Sequence, residues 1–282
     1  MNLRLILFIG LFIGLFTGLY ACSKTPGTDQ LTTDTAKTKL VITGSSTLAP
    51  LISEIAKAYE QEHPSLRIDV QAGGSSRGLS DVAQGIADIG MVSKAVTSSV
   101  SQKAYLIARD GVTIIVHKDN PISSLDKATI ENIYTGNIKN WGELGQQNTN
   151  DIVVISKAEG RSTLTVFLAF LQKRNSALKP SIIIGDNEQA IKLVSNNTNA
   201  IAYVSTSTSD YNIQQGVPIK TLSIEKVNPI EKNIASGLFP IVRDLNLVTK
   251  NTVPDETKMF LDYIKTTEAQ SLIKEYRFVP VI

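Results

Sequence analysis

The sequence of 282 residues has few of the side chains on which metal and disulfide chemistry depend. It contains one cysteine and two histidines, too few for a zinc site of Cys and His ligands or for a disulfide within the chain. Lysine and arginine total 28, and aspartate and glutamate total 26, so the chain lacks the basic excess of a nucleic-acid-binding protein. Apolar residues make up 42%, which excludes a disordered chain and allows a buried core.

The two histidines also give little support for an enzyme. A serine nucleophile needs a neighbouring base, but His63 precedes a proline at a predicted helix end and His117 ends a strand predicted over residues 112–117. A hydrolase that uses Ser46 or Ser75 is therefore an unfavoured alternative. Leu79 stands where a Walker-type phosphate loop carries lysine. We expect a non-enzymatic protein without a metal or cofactor.

The N-terminus has the pattern of a lipoprotein signal. The apolar stretch 5–19 is shorter than a membrane span of about 20 residues and is typical of a secretory signal. The letters LYAC follow and place the only cysteine, Cys22, where a bacterial lipobox has it. We expect residues 1–21 to be a lipoprotein signal peptide, Cys22 to carry the lipid and residues 22–38 to be a flexible tether. An ordinary signal peptide or a single-pass anchor with an incidental cysteine is the alternative.

From residue 39 onward, predicted strands and helices alternate. Residues 40–42 and 66–70 are predicted strands, and the apolar spacing of residues 48–62 predicts a helix. One long amphipathic helix is expected over residues 256–275. Alternation of this kind is typical of an α/β fold with a mainly parallel sheet.

Three short segments rich in glycine, serine and threonine each lie between a predicted strand and a predicted helix. They are TGSST (43–47), GGSS (73–76) and GRST (160–163). The first four N–H groups of a helix have no partner within it and lie at the positive end of the helix dipole. Such an end binds phosphate-like or sulfate-like anions, although a single Ser or Thr there is more often only a helix cap. Three such segments behind strands predict an oxyanion site at one sheet edge.

At these motifs the chain resembles the phosphate-binding proteins of bacterial phosphate ABC transporters, a family of two-lobed periplasmic solute-binding proteins. The resemblance runs from about residue 40 to residue 282, with motifs in the family's order: GSSTLAP (44–50), GGSS (73–76), ADIGM (87–91), VHKDNP (116–121) and EGRST (159–163). It implies an α/β periplasmic-binding-protein fold whose two lobes are joined by two crossover strands, with the ligand cleft between them. Lobe 1 is expected over residues 39–114 and 237–282, and lobe 2 over residues 115–236.

The resemblance also implies a set of anion ligands. They are Ser46, Thr47, Ser75, Lys94, Arg161, Ser162 and Thr163, with Ser45, Ser76 and Lys157 as secondary candidates. Arg161, Ser162 and Lys157 depart from the Ser, Gly and Arg of the best-known members. Lys94 replaces an Asp that accepts the proton of hydrogen phosphate, so it is expected either to pair with the anion or to lie on the surface. Without an acceptor, the site could not distinguish phosphate from sulfate.

The expected function is that of a lipid-anchored receptor outside the cytoplasmic membrane, in the periplasm or at the cell surface. It would bind phosphate between its lobes and deliver it to the subunits of an ABC permease, as a monomer and without a nucleic-acid partner. Two alternatives stay open: a receptor for sulfate, molybdate or another oxyanion, and a sensory or adhesion lipoprotein on the same fold.

Overall fold

The structure, a computed structural model, describes residues 38–99, 101–147 and 149–281. The strands are β1 Thr38–Gly44, β2 Leu66–Ala72, β3 Ile89–Val92, β4 Gln102–His117, β5 Ser124–Leu125, β6 Val153–Lys157, β7 Ile182–Ile184, β8 Ala200–Ser205, β9 Ile219–Thr221, β10 Ser223–Ile224, β11 Val242–Lys250 and β12 Val279–Pro280. The α-helices are α1 Ala49–Glu62, α2 Ser75–Gln84, α3 Lys127–Tyr134, α4 Ser162–Leu171, α5 Asn187–Ser195, α6 Thr206–Gln214, α7 Glu231–Ala235, α8 Asp255–Tyr263 and α9 Thr267–Glu275, with short 3-10 helices at Trp141–Leu144 and Asn175–Ala177. The predicted signal peptide, Cys22 and the tether before Thr38 lie outside the described residues.

One sheet carries the site on the ends of its strands. Its order is β2-β1-β3-β11-β4-β8-β6-β7, and β9 and β12 also pair with β4. Strands β2, β1 and β3 are parallel to one another, as are β8, β6 and β7. The two strands between these groups, β11 and β4, pair antiparallel with their neighbours. This arrangement of strands and helices confirms the predicted α/β class.

The strand β4 is shared by two lobes. Its residues 102–111 pair with β11 in the first lobe, and its residues 112–117 pair with β8 and β9 in the second. The sequence predicted only residues 112–117 as a strand, because the apolar run begins there and the preceding residues mix exposed and buried positions. After the second lobe, β11 returns the chain to the first lobe. The predicted lobe limits stay predictions, and β4 changes its partner between Gly111 and Val112.

Each lobe has its own apolar core. In the first lobe, β1, α1, β3, β11 and α8 contribute the buried side chains Ile42, Ile52, Ile89, Leu247 and Phe260. In the second lobe, the sheet is covered on both faces. One face packs against α3 and α4 through residues such as Ile114, Phe167 and Tyr203, and the other packs against α5 through Ile115, Ile155 and Ile191.

The prediction of one helix over residues 256–275 is wrong, because the chain breaks into α8 and α9. Thr266 has extended backbone angles, and its hydroxyl accepts a hydrogen bond from Ala269 N at 3.4 Å, which caps α9. Both helices still pack on the first-lobe core, through Phe260 and Ile273. Across the described ranges, no helix combines the length and the apolar character needed to cross a membrane.

Candidate functional site

The N-termini of four helices converge on a small cavity between the lobes. Helices α1 and α2 follow the carboxyl ends of β1 and β2, and α4 and α5 follow those of β6 and β7. The cavity is narrow, because residues of both lobes approach one another closely around it. The first lobe lines the cavity with Ser45, Ser46, Thr47, Gly74 and Ser75. The second lobe lines it with Lys157, Arg161, Ser162, Thr163, Gly185, Asp186 and Asn187.

The chemistry of this lining suits an anion. The helix N-termini supply unpaired backbone N–H groups at the positive ends of their dipoles. Hydroxyl groups and the side chains of Lys157 and Arg161 add further donors, and neither cation can accept a hydrogen bond while it is charged. Among the described residues that line the cavity, Asp186 alone carries a carboxylate. An oxyanion bound here would be surrounded by charge-assisted hydrogen bonds.

Lys157 ends strand β6 and is the buried cation of the site. Only 3% of the residue is exposed, and its Nζ donates to the backbone oxygen of Asp186 at 2.5 Å. Burial lowers the pKa of Lys157 to about 7; the Asp186 charge opposes this shift, and the Arg243 and Arg161 charges add to it. Its amino group is therefore only partly protonated near neutral pH. A bound anion would favour the protonated form.

Arg161 lies at the junction between the lobes, directly before α4. Its side chain runs between Gly74 of the first lobe and Gly185 of the second, since a Cβ at position 185 would lie 3.5 Å from its Nη2. Gly74 has φ +95°, a conformation that glycine adopts without strain. The guanidinium is therefore placed to cover the cavity from the second lobe.

The serine hydroxyls of the first lobe have different partners. Ser45 Oγ accepts from the N–H groups of Thr47 and Leu48 at 3.2 and 3.4 Å, so it serves the start of α1. Ser75 Oγ accepts from Ser93 N at 3.0 Å, which leaves the Ser75 hydrogen available to a ligand. Ser93 Oγ lies 2.5 Å from Ser45 Oγ, so Ser93 contacts both serines.

Comparisons with known proteins agree with this geometry. A model of the PBP superfamily domain matches residues 29–268. The phosphate-binding protein PstS of Bacillus subtilis (strain 168) is 30% identical over 276 residues, which cover 93% of this chain and 89% of that protein. The chain belongs to the phosphate-binding proteins of the PBP superfamily.

Solved structures of this family share the fold. A putative phosphate ABC transporter substrate-binding protein from Clostridium perfringens, with bound phosphate, is 28% identical and has a TM-score of 0.79. The alignment covers 86% of this chain and all of that one. An ABC-type phosphate transport receptor from Vibrio cholerae is also 28% identical, with a TM-score of 0.69 over 85% of this chain and 99% of that one. Membership in this family of binding proteins confirms the two-lobed fold and the prediction of a non-enzymatic protein.

Most of the predicted ligands of this family member meet at the cavity. Those that line it are Ser45, Ser46, Thr47, Ser75, Lys157, Arg161, Ser162 and Thr163. Two predicted residues, Lys94 and Ser76, are not in its lining. Lys94 follows the end of β3, and its backbone oxygen accepts from Asn246 Nδ2 at 2.9 Å. Ser76 is exposed, and its N–H donates to Gly160 O across the cleft at 3.4 Å.

Sequence reasoning missed the contribution of α5. Gly185, Asp186 and Asn187 follow the short strand β7 and line the cavity. Asn187 is buried, and its Nδ2 donates to Thr47 Oγ1 of the first lobe at 3.2 Å. The pattern of a strand, a glycine and a helix start was visible here too, but this segment has no run of hydroxyl residues to draw attention to it.

Proposed function

We propose that this protein is a lipid-anchored receptor outside the cytoplasmic membrane that binds phosphate and delivers it to an ABC permease. The observation that carries the proposal is the convergence of donors from both lobes on one small cavity. A phosphate there would be held by helix N-termini, hydroxyls and two cations. The printed names of the relatives, as phosphate-binding proteins and phosphate transport receptors, support the same ligand.

Closure of the lobes would accompany capture of the anion. Ligands from the first lobe, such as Thr47 and Ser75, complete the site only when the second lobe brings Thr163 and Arg161 to the same cavity. The two strands that cross between the lobes are the natural place for such a hinge. We expect the protein to act as a monomer, because each chain carries the complete site.

Asp186 favours phosphate over sulfate as the ligand. Hydrogen phosphate carries a proton that a carboxylate can accept, whereas sulfate at neutral pH carries none. The carboxylate that the family pattern places in the first lobe would then be supplied from the second lobe. A broader oxyanion receptor is the second candidate, because the remaining side chains of the lining are donors or small residues.

Calorimetric titration tests the ligand. The full chain is solubilised in a mild detergent, freed of bound anion by denaturation and refolding, and titrated with phosphate and then with sulfate. Micromolar or tighter binding of phosphate that persists in excess sulfate supports the phosphate receptor. Equal binding of both anions supports the broader oxyanion receptor. Binding of neither anion contradicts both.

Lipid attachment at Cys22 and delivery to a permease are the remaining parts of the proposal. The only cysteine of the chain follows the apolar stretch in a lipobox pattern. Cys22→Ser should abolish labelling by a radioactive fatty acid, and Ser23→Ala, which should still be labelled, is the matched control. The phosphate-loaded receptor should also stimulate ATP hydrolysis by its ABC permease. A wild-type protein that is not labelled, or a Cys22→Ser variant that is labelled as strongly as the wild type, would contradict lipid anchoring at Cys22.

A further inference from the structure

A buried ion pair joins the two strands that cross between the lobes. Arg243 on β11 donates from Nη2 and Nε to Asp110 Oδ2 on β4, at 2.7 and 3.1 Å. The two side chains are 1% and 0% exposed. Asp110 also accepts from the hydroxyls of Ser205 and Ser207, each at 2.8 Å. With its carboxylate partner held on several sides, the guanidinium of Arg243 has a fixed position.

The same guanidinium reaches a threonine of each lobe. Nη1 donates to Thr163 Oγ1 at 3.0 Å, and Nη2 donates to Thr47 Oγ1 at 3.2 Å. Both threonines line the cavity, whereas Arg243 is not in its lining. Because Arg243 holds Thr47 of the first lobe and Thr163 of the second at once, it also links the two lobes in this closed arrangement.

Arg243 determines which way these hydroxyl hydrogens can point. A guanidinium has no acceptor, so each threonine oxygen must accept from it. Thr47 Oγ1 also accepts from Asn187 Nδ2 at 3.2 Å, which uses both of its lone pairs. The Thr47 hydrogen can therefore only be donated, and the cavity that Thr47 lines is where an acceptor would lie. Thr163 likewise keeps its hydrogen for a ligand.

We propose that Arg243 is a positioning residue for anion binding, which fixes the hydroxyls of Thr47 and Thr163 as donors to the ligand. This assignment rests on the proposed function, because it requires an anion in the cavity. Arg243 acts through the two threonines and does not contact the ligand itself. Lysine at this position would keep the charge but lose the planar fork that reaches Asp110 and both hydroxyls together.

A double-mutant cycle tests the assignment in the full chain, with phosphate and sulfate as ligands in calorimetric titrations. The four proteins are the wild type, Arg243→Lys, Thr47→Val with Thr163→Val, and the triple variant. Arg243→Lys alone should weaken binding by about tenfold to a hundredfold. In the variant that lacks both hydroxyls, Arg243→Lys should weaken anion binding by less than about twofold, because the groups through which Arg243 acts are gone.

A purely structural role predicts a different result. If Arg243→Lys weakens binding equally in both backgrounds, or leaves the affinity of the wild-type background unchanged, the assignment is overturned. Arg243→Gln combined with Asp110→Asn removes both charges together and so leaves no unpaired buried ion. This double variant should also bind the anion at least about tenfold more weakly than the wild type, while its thermal unfolding stays cooperative. Anion affinity equal to that of the wild type would overturn the assignment. A wild type that binds neither anion would refute the proposed function itself, a result distinct from an additive cycle in a protein that binds.

Discussion

The side chain of Arg161 passes so close to Gly74 that a Cβ at position 74 would lie 3.1 Å from Arg161 Cδ. The same Cβ would lie 3.0 Å from Gly160 O. Gly74 belongs to the first lobe and Arg161 to the second, so the two lobes are in close contact at this point. The absence of a side chain at position 74 permits the close approach.

Gly74→Ala should hold the lobes apart and weaken anion binding by about tenfold or more, because its methyl group meets backbone oxygen of the other lobe. Gly145→Ala is the matched control, since Gly145 also has a positive φ, +74°, but among the described residues no atom beyond its chain neighbours lies within 4 Å of its Cβ position. Calorimetry and small-angle scattering with saturating phosphate would compare the two variants. Equal affinity and an equal radius of gyration would contradict the expectation.

Arg161→Ala should weaken phosphate binding by about 2 kcal/mol or more, roughly thirtyfold, because the site loses a charge-assisted partner. Lys118→Ala is the control: this lysine is exposed and pairs with Asp119 at 2.7 Å, remote in sequence from any cavity segment. Titration calorimetry with phosphate would give the affinity of each variant. Small and equal losses of phosphate affinity in the two variants would show that Arg161 does not contact the anion.

The lowered pKa of Lys157 predicts that anion affinity depends on pH. In the free protein this pKa is about 7, and a bound anion raises it because the anion favours the charged form. Protons are therefore taken up on binding above pH 7, and affinity should fall by up to about tenfold per pH unit there. Below pH 7 the dependence should level off.

Sulfate is the suitable probe, since its own charge is constant from about pH 6 to pH 9. Lys157→Arg should flatten the pH profile, because arginine stays protonated throughout this range. A wild-type sulfate affinity that does not change with pH would contradict the role assigned to Lys157. Calorimetry in buffers of different ionisation enthalpy would count the protons directly.

Asp186→Asn should reduce the preference for phosphate over sulfate by about tenfold, because asparagine has an NH₂ donor where aspartate has its second, accepting oxygen. Asp186 Oδ1 also caps α5 by accepting from Gln189 N at 2.8 Å, and asparagine preserves such a cap. Asp126→Asn is the matched control, since Asp126 caps α3 in the same way but does not line the cavity. The ratio of the two dissociation constants is the measurement. An unchanged ratio would assign the discrimination to another group.

The parts of the site that could be predicted from sequence are those built by neighbours in the chain. Thr47, Ser75 and Thr163 each lie a few residues beyond a strand, at the start of a helix, and this local pattern was readable. The ion pair of Arg243 with Asp110 could not be predicted from sequence, because the two residues are separated by 133 positions and only the pairing of β11 with β4 brings them together. Lys94 was predicted as a ligand but does not line the cavity, since the direction of a side chain after a strand depends on where that strand ends.

In the fold too, local sequence patterns predicted some features and not others. Alternating strands and helices were predicted from apolar spacing, but the first half of β4 was not, because its exposed and buried residues are mixed. The break between α8 and α9 depends on the cap that Thr266 provides, which apolar periodicity does not reveal. Helical spacing continues across such a break, so the two helices looked like one.

The position of β11 has a consequence for how the protein is made. β11 lies between β3 and β4 in the sheet, yet it is synthesised almost 150 residues after β3. Until it emerges, β3 has an unpaired edge of the kind that attracts other chains. The second lobe, in contrast, receives nearly all of its strands and helices in one uninterrupted stretch and can fold as a unit before β11 is available. The half of the protein that is made first is therefore the half that completes its sheet last.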